Sequence, residues 1–354
     1  MVIRELELAS FRNYPQQHVS FTPGVNWISG RNGQGKTNLA EALFYLCNLE
    51  SFRTRKASQL LKTGVDAAVI SGVVESRQVL RRIRVVINRQ GRQVFLDRQP
   101  LKRTSEYLLS FMSLVFTPED VNLFRSQPGE RRRFFNRVLS FMEPGHLEVL
   151  QQYAQALANK NVLLKRRSSE GVSVWNELLV RFGVELSEHR RRFVENLNPL
   201  LSEAFQQMSG RSETLRLEYR PTLENDPERA LVQLRDSLSR DLHYGHSMIG
   251  PHRDDFRLSL DHQLDREFFS QGEFRLTNLA LKMAINSVLS ERYRFQPVLV
   301  LDDLFSELDP MICEGVLTYL GRLNNQVFIT STVDPLSQTF PVHTLRIDSG
   351  KVHF

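Results

Sequence analysis

Apolar and polar positions alternate early in the chain. Leu6-Glu7-Leu8, Val69 to Val74 and Leu80 to Ile87 send every second side chain to one face, the period of a strand packed on one side. Arg89-Gln90-Gly91-Arg92 interrupts before Val94-Phe95-Leu96 and reads as a hairpin turn. Residues 1–125 therefore predict an antiparallel sheet beside a second one that includes Val25, Trp27 and Ile28. From about 130 the period changes. No proline falls between Pro144 and Pro199, and apolar residues recur at Leu147, Leu150, Ala154, Leu157 and Leu164, then at Leu178, Phe182, Leu186, Phe193, Leu197 and Leu200. Arg167 to Gly171 would let two such helices fold back as a hairpin, and Pro221 to Pro227 marks a further turn. Strand and helix alternate again from about 246, ending in a strand near Thr344 to Val352. The expected organisation is a head in two parts, 1–125 and 246–354, with a helical lobe at 126–245.

The sharpest break in the pattern is Asn26 to Leu46, "NWISGRNGQGKTNLAEALFYL", where a short apolar stretch passes through three glycines into a helical stripe of Leu39, Ala42, Leu43 and Leu46. Gly30, Gly33 and Gly35 let backbone N–H groups turn inward around an anion where a Cβ would obstruct them. The helix after the loop points its N-terminal N–H groups at the same place. Gly30-x-x-x-x-Gly35-Lys36-Thr37 has P-loop spacing, with Lys36 placed for β/γ oxygens and Thr37 as a magnesium ligand. Gly30, Arg31, Asn32, Gly33, Gln34, Gly35, Lys36, Thr37 and Asn38 are the expected nucleotide-binding residues. The plainer alternative is a glycine-rich turn that binds nothing.

A P-loop needs a carboxylate at the end of a buried strand. Val298-Leu299-Val300-Leu301 is a continuous apolar run ending in Asp302-Asp303. Asp302 is expected on the metal side with Thr37, and Asp303 beside the attacking water; the alternative is an ordinary strand end with a solvated acidic turn. Lys36 and Asp302 lie near opposite ends of the chain, so the helical segment reads as an insertion. Upstream, Ser270 followed by Glu273 forms a capping box for a helix striped by Leu276, Leu279, Ala280, Met283 and Val288. Ser270, Gln271 and Gly272 at that helix start also suit a phosphate-facing surface, for the γ-phosphate held by a second copy.

Composition narrows the picture modestly. Hydrophobic content of 41% and charged content of 24% are ordinary for a globular protein. No apolar run approaches the roughly 20 residues of a membrane span. The start carries charges where a signal peptide would be apolar, which points to a cytoplasmic protein. Cys47 and Cys313 are far apart, which suggests neither a disulfide framework nor a zinc site. The net charge is +6 with a sequence pI of about 9.4, which favours a polyanionic partner. Arg131-Arg132-Arg133 with Arg137, Lys165-Arg166-Arg167 and Arg190-Arg191-Arg192 suit DNA phosphates, or else solvated helix faces paired with Glu130, Glu185 or Glu188. His243, His246, His252, Asp254 and Asp255 have metal-ligand chemistry but no organising spacing, and a structural polar turn is the favoured reading.

Together "LELASFRNY" (6–14), "GRNGQGKTN" (30–38), "PEDVNLFRSQPGERRRFFN" (118–136), "GPHRDDF" (250–256), "SQGEFR" (270–275) and "LDDLFSELD" (301–309) resemble the RecF family of bacterial recombinational repair proteins, relatives of SMC and ABC-type ATPases. The resemblance covers essentially the whole chain. It implies an α/β, ABC/SMC-like P-loop ATPase head with mixed sheets and an inserted coiled-coil-like helical lobe. It also implies ATP and Mg2+ as cofactors and an ATP-driven homodimer. Each composite site would join one P-loop to the other copy's Ser270 segment, with Ser306 and Asp309 crossing the interface. Expected partners are double-stranded DNA and single/double-strand junctions, with RecR, RecO and RecA, in repair and replication restart.

Several departures qualify the likeness. The family's Ser-Gln-Gly-Gln is Ser270-Gln271-Gly272-Glu273 here, and a carboxylate there would repel a partner's triphosphate unless it caps its own helix. Asp303 stands where transporters of this superfamily carry Glu, and no His lies at Thr330-Ser331-Thr332. Both fit slow turnover, a switch more than a motor. The coupling-loop glutamine is also absent, with Val115-Phe116-Thr117 as its counterpart. A transporter-type ATPase subunit and a structural DNA clamp with a vestigial nucleotide site are the competing functions.

Overall fold

The structure is a computed structural model that describes residues 1–261, 263–264, 269–306, 308–335 and 341–353. The chain divides into two compact units. The first comprises residues 1–121, 204–212 and 270–354; the second comprises 122–203 and 213–269.

In the first unit, strands β1 (Val2–Phe11), β2 (Tyr14–Ser20) and β3 (Val25–Ser29) lead into helix α1 (Lys36–Asn48). Next come strands β4 (Ala67–Ser76), β5 (Val79–Asn88), β6 (Gly91–Leu96) and β7 (Gln99–Pro100), helix α2 (Thr104–Ser110) and strand β8 (Ser113–Phe116). The expected turn falls between β5 and β6. The second unit holds helices α3 (Pro128–Met142), α4 (His146–Lys165) and most of α5 (Val172–Ser209). It continues with β9 (Leu215–Arg220), α6 (Pro227–Asp236), α7 (Leu238–Tyr244), β10 (Asp255–Leu260) and β11 (Gln263–Leu264). The chain returns to the first unit with α8 (Gln271–Tyr293), β12 (Val298–Leu301), α9 (Pro310–Arg322), β13 (Val327–Ser331), β14 (Val342–Asp348) and β15 (Lys351–His353).

Two six-stranded sheets build the first unit. One is antiparallel, in the order β2-β1-β4-β5-β6-β7. The other, β15-β14-β3-β13-β12-β8, is parallel except at its β14–β15 edge. Every residue of β3, β12 and β13 is buried, as strands covered on both faces require. Register pairs Ser29 with Ser331 and Leu301 with Ile329, so the carboxyl ends of β3, β12 and β13 lie within two residues of one another at one edge of the sheet. That edge is where open parallel sheets bind ligands. Leu39, Leu43 and Leu46 of α1 share a core with Leu6, Ile70, Ile83, Val300 and Phe328.

The second unit is helical except for a three-stranded sheet, β11-β10-β9. The α4–α5 hairpin forms as its periodicity predicts, and Asp226 caps α6 by accepting the Arg229 N–H at 2.9 Å. Its apolar cluster includes Val149, Tyr153, Leu179, Leu186, Leu223 and Leu234. Strand β9 lies inside the segment read from sequence as helical, and it pairs with β10 from Leu215↔Leu260 to Arg220↔Asp255. Residues 246–269 accordingly belong to the second unit, whereas the sequence-based boundary at 245 assigned them to the head.

Candidate functional site

The P-loop sits where β3 hands over to α1. Gly35 caps the helix at φ +117°, and a Cβ there would lie 2.6 Å from Asn13 Nδ2 and 2.9 Å from the Tyr14 hydroxyl, so both space and backbone demand glycine. A Cβ on Gly30 would meet the Ile347 carbonyl oxygen at 2.4 Å. The loop is braced from outside. Asn13 Nδ2 donates to Gln34 O at 3.1 Å, the Tyr14 hydroxyl donates to Gly35 O at 3.0 Å, and the N–H groups of Ser349 and Gly350 reach Gln34 Oε1 and O at 2.5 and 3.1 Å. Asn38 Nδ2 donates to Asn13 Oδ1 at 2.8 Å and Asn38 Oδ1 accepts from Arg53 at 2.8 Å. Arg31, Asn32 and Gly33 form the exposed crest.

Lys36 is buried, with Nζ donating to the carbonyls of Gly30 at 2.6 Å and Arg31 at 2.9 Å. Burial pushes its ammonium below the ordinary lysine value, while the carboxylates of Asp303 and Asp302 work the other way. The Thr37 hydroxyl donates to Asp302 Oδ1 at 3.1 Å. Residues from opposite ends of the chain thus meet, as the P-loop reading requires.

Asp302 is 4% exposed, and burial raises its carboxyl above the usual range against the hydrogen bonds from Thr330 and Thr37. The Thr330 hydroxyl donates to Asp302 Oδ1 at 2.6 Å and accepts the Asp303 N–H at 2.9 Å, locking the turn at the strand end. Asp303 adopts φ +48°, uncommon for a residue with a side chain. Its carbonyl accepts from Arg275 of α8 at 3.2 Å, and the same guanidinium nitrogen reaches Ser306 Oγ at 3.3 Å. The backbone that carries the Asp303 carboxylate is therefore held from both sides.

The Ser270 turn is built as the capping box predicts. Glu273 N donates to Ser270 Oγ at 3.2 Å and Ser270 N donates to Glu273 Oε2 at 2.9 Å. Ser270 and Gln271 are exposed and Gly272 is half-buried; among the described residues no hydrogen bond joins them to Gly30–Thr37. Glu273 does turn back on its own helix. Asp309 caps α9, accepting from Met311 N at 2.9 Å.

Several bracing residues escaped the sequence reading. Glu41 of α1 is fully buried and accepts from Arg12 at 2.6 and 2.8 Å and from Ser51 at 2.5 Å. Only the coincidence of "SFRNY" with an acidic residue on the apolar side of α1 hinted at this pair.

The basic runs and the "GPHRDDF" segment resolve differently. Arg131 pairs with Asp255 at 2.7 Å and Arg190 with Asp254 at 2.7 Å, both guanidinium groups being buried within the second unit. Neither is placed to meet DNA phosphate. Asp254 also accepts from the Tyr219 hydroxyl and from Thr222 N and Oγ1 at 2.8 and 3.0 Å. His252 lies between the Tyr153 hydroxyl at 2.7 Å and the Ser247 carbonyl at 3.0 Å, and burial lowers it to about 4. These groups make a structural polar turn whose ligand capacity is taken up by protein. Arg133 pairs with Glu130, and Arg191 with Glu188 at 2.6 Å, while Lys165, Arg166 and Arg167 are exposed.

A phosphate-cradling loop facing a strand-end carboxylate, in a parallel sheet interrupted by a helical insertion, places the fold among ABC/SMC-like P-loop ATPase heads. The RecF/RecN/SMC N-terminal domain family matches residues 2–347. The "DNA replication and repair protein RecF" of Geobacter sp. (strain M21) is 36% identical, covering 99% of this chain and 100% of that protein. The protein of the same name from Tropheryma whipplei (strain TW08/27) is 32% identical, covering 99% and 97%. A solved structure of the recombination mediator protein RecF with ATP, described as part of the RecFOR pathway, superposes with a TM-score of 0.81 at 30% identity, covering 99% and 96%. The Smc head domain from Pyrococcus furiosus, at TM-score 0.62 and 18% identity, shares the fold. The chain belongs to the RecF family of DNA replication and repair proteins. No helix among the described residues is long and apolar enough to cross a membrane.

Proposed function

We propose that this chain is an ATP-dependent switch of recombinational DNA repair, in which a bound triphosphate drives two copies together on DNA. The observation that carries the reading is the Thr37–Asp302 contact beside the Lys36 ammonium. The neighbouring family structure bound to ATP supports it. Lys36 would exchange its loop carbonyls for β/γ oxygens, and the N–H groups of Gly33 to Thr37 would cradle the phosphates. The Thr37 hydroxyl and the buried Asp302 carboxylate fit Mg2+, since a cation would relieve the burial that now raises Asp302. Mg2+ bound with the nucleotide supplies the neutralisation of charge that phosphoryl transfer demands.

Asp303, on its fixed backbone, orients the attacking water. Its carboxylate is one methylene shorter than a glutamate's, which suits weak hydrolysis that resets the switch. Ser270 of a second copy meets the γ-phosphate. DNA is held largely independently of sequence, at gapped or double-stranded sites, by exposed cations such as Lys165, Arg166 and Arg167. RecR and RecO as partners, and RecA loading as the outcome, are what the family resemblance implies; the ATP-bound relative is described as part of the RecFOR pathway.

Sedimentation with a nonhydrolysable ATP analogue tests this reading. Wild type should pair in the analogue alone, Lys36→Arg should impair hydrolysis, and Ser270→Arg should stay monomeric while still binding nucleotide. A dimer that persists with Ser270→Arg refutes the composite site.

A further inference from the structure

The turn that opens α8 carries a carboxylate where the composite site proposed above would receive a second copy's triphosphate, and the role assigned to its neighbours rests on that site. Glu273 does not stand alone there. Its Oε1 accepts from Arg211 Nη1 at 3.2 Å, while its other oxygen takes the Ser270 N–H. Burial opposes its charge, yet the Ser270 N–H and the Arg211 guanidinium together hold it below the usual carboxylate range.

Arg211 is itself held in place. It lies just past the end of α5, beyond Gly210, which turns the chain at φ +69°. Its N–H donates to Ser209 Oγ at 3.1 Å, and its guanidinium lies 6.0 Å from the ring centroid of the fully buried Phe205. The Ser270 hydroxyl accepts the Glu273 N–H and also supports the Glu273 carboxylate, so its proton is one that a partner's phosphate would compete for.

We propose that Arg211 is a positioning residue of the composite triphosphate site: it cancels the Glu273 charge and holds that carboxylate against its own helix, so that Ser270 presents a donor to a partner's phosphate. Without Arg211, Glu273 keeps its cap but faces the incoming phosphate as an uncompensated like charge. A glutamine at 273 would not need Arg211. Dependence on Arg211 should therefore track the charge at 273.

Sedimentation with a nonhydrolysable ATP analogue, on wild type, Arg211→Gln, Arg211→Lys, Glu273→Gln and the Arg211→Gln/Glu273→Gln double variant, reads this directly. Arg211→Gln should weaken analogue-dependent pairing about tenfold or more, Arg211→Lys should retain most of it, and the double variant should return to within about threefold of Glu273→Gln alone. Nucleotide binding to the monomer should not change in any of them, because the described hydrogen bonds of Arg211 involve no P-loop residue. Pairing of Arg211→Gln as tight as wild type overturns the inference, and so does a loss that Glu273→Gln fails to relieve. A wild type that never pairs in the analogue removes the composite site itself and this inference with it, a result distinguishable from both.

Discussion

Replacing Thr330 with valine keeps the shape of β13 and deletes one hydroxyl that serves the buried Asp302 carboxylate and the half-buried Asp303 N–H. Asp302 loses a donor at 2.6 Å but keeps Thr37, and the Asp303 N–H loses its acceptor at 2.9 Å. A hydrogen bond to a charged group contributes about 1.5–3 kcal/mol and an orphaned N–H costs about 1 kcal/mol when only half-buried, so the first unit should lose about 3 kcal/mol near neutral pH. The penalty must depend on pH. Folded Asp302 binds its proton more tightly than the unfolded chain does, so stability falls as pH rises from the unfolded value toward the raised folded one. Removing Thr330 raises the folded value further and extends that window upward, so the penalty should grow as pH rises above the wild-type folded value. Urea unfolding of a Trp175→Phe background, followed through Trp27, reports on the first unit, because Trp27 is fully buried in β3 and stacks on Phe305 at 5.5 Å. Thr330→Ser, which keeps the hydroxyl, should cost about 1 kcal/mol for its lost methyl. A Thr330→Val penalty below about 1 kcal/mol, or one that is flat or shrinks with rising pH, would refute the reasoning.

Gly35→Ala should abolish nucleotide binding in calorimetry, since the new Cβ would press on Asn13 and Tyr14 at a φ that alanine resists; unchanged affinity would show that the loop yields. Arg12→Met should cost about 3 kcal/mol in the Trp27-reported transition by leaving Glu41 with weaker partners, Arg53 at 3.5 Å among them. DNA binding titrated against salt should separate the basic runs. Each of Lys165→Ala, Arg166→Ala and Arg167→Ala should lower the salt slope by up to about 1, whereas Arg131→Met should leave the slope and reduce stability. An unchanged slope in all three surface variants would place the DNA contacts elsewhere.

What the sequence disclosed depended on how far apart the deciding residues lie. The P-loop and β12 were legible because glycine spacing and an apolar run are local, and the α4–α5 hairpin because its period persists over many turns. Strand β9 was not. "LRLEYR" is short, and its partner, from Phe256↔Tyr219 outward, is set by tertiary pairing, so the helical surroundings dominated the reading. Arg131 and Arg190 misled for the same reason, each sitting in a run that looks solvated while its counterion comes from the remote "GPHRDDF" segment. Asn13 and Tyr14 were visible as part of a resemblance, but their job of bracing Gln34 and Gly35 appears only in three dimensions.

Buried charge is compensated in two ways, and the difference bears on which cluster is a site: Arg12 with Glu41 in the first unit, like the pairs of the second, is met by its opposite. In the second unit three buried cations meet their opposites: Lys160 with Asp241 at 2.9 Å, Arg190 with Asp254, Arg131 with Asp255. Such pairs, once their remaining hydrogen bonds are made, are complete and need no ligand. In the first unit Lys36 rests on two carbonyls and Asp302 on two hydroxyls, and among the described residues neither makes an ion pair. Dipoles compensate a buried charge only in part, so both groups are held away from their ordinary titration ranges. A fold keeps such a cost where a ligand repays it, and the complement required here is an anion beside Lys36 joined to a cation beside Asp302. A magnesium triphosphate has that polarity. By the same test the "GPHRDDF" turn, although richer in titratable groups, is scaffold, because its carboxylates are already met by arginine.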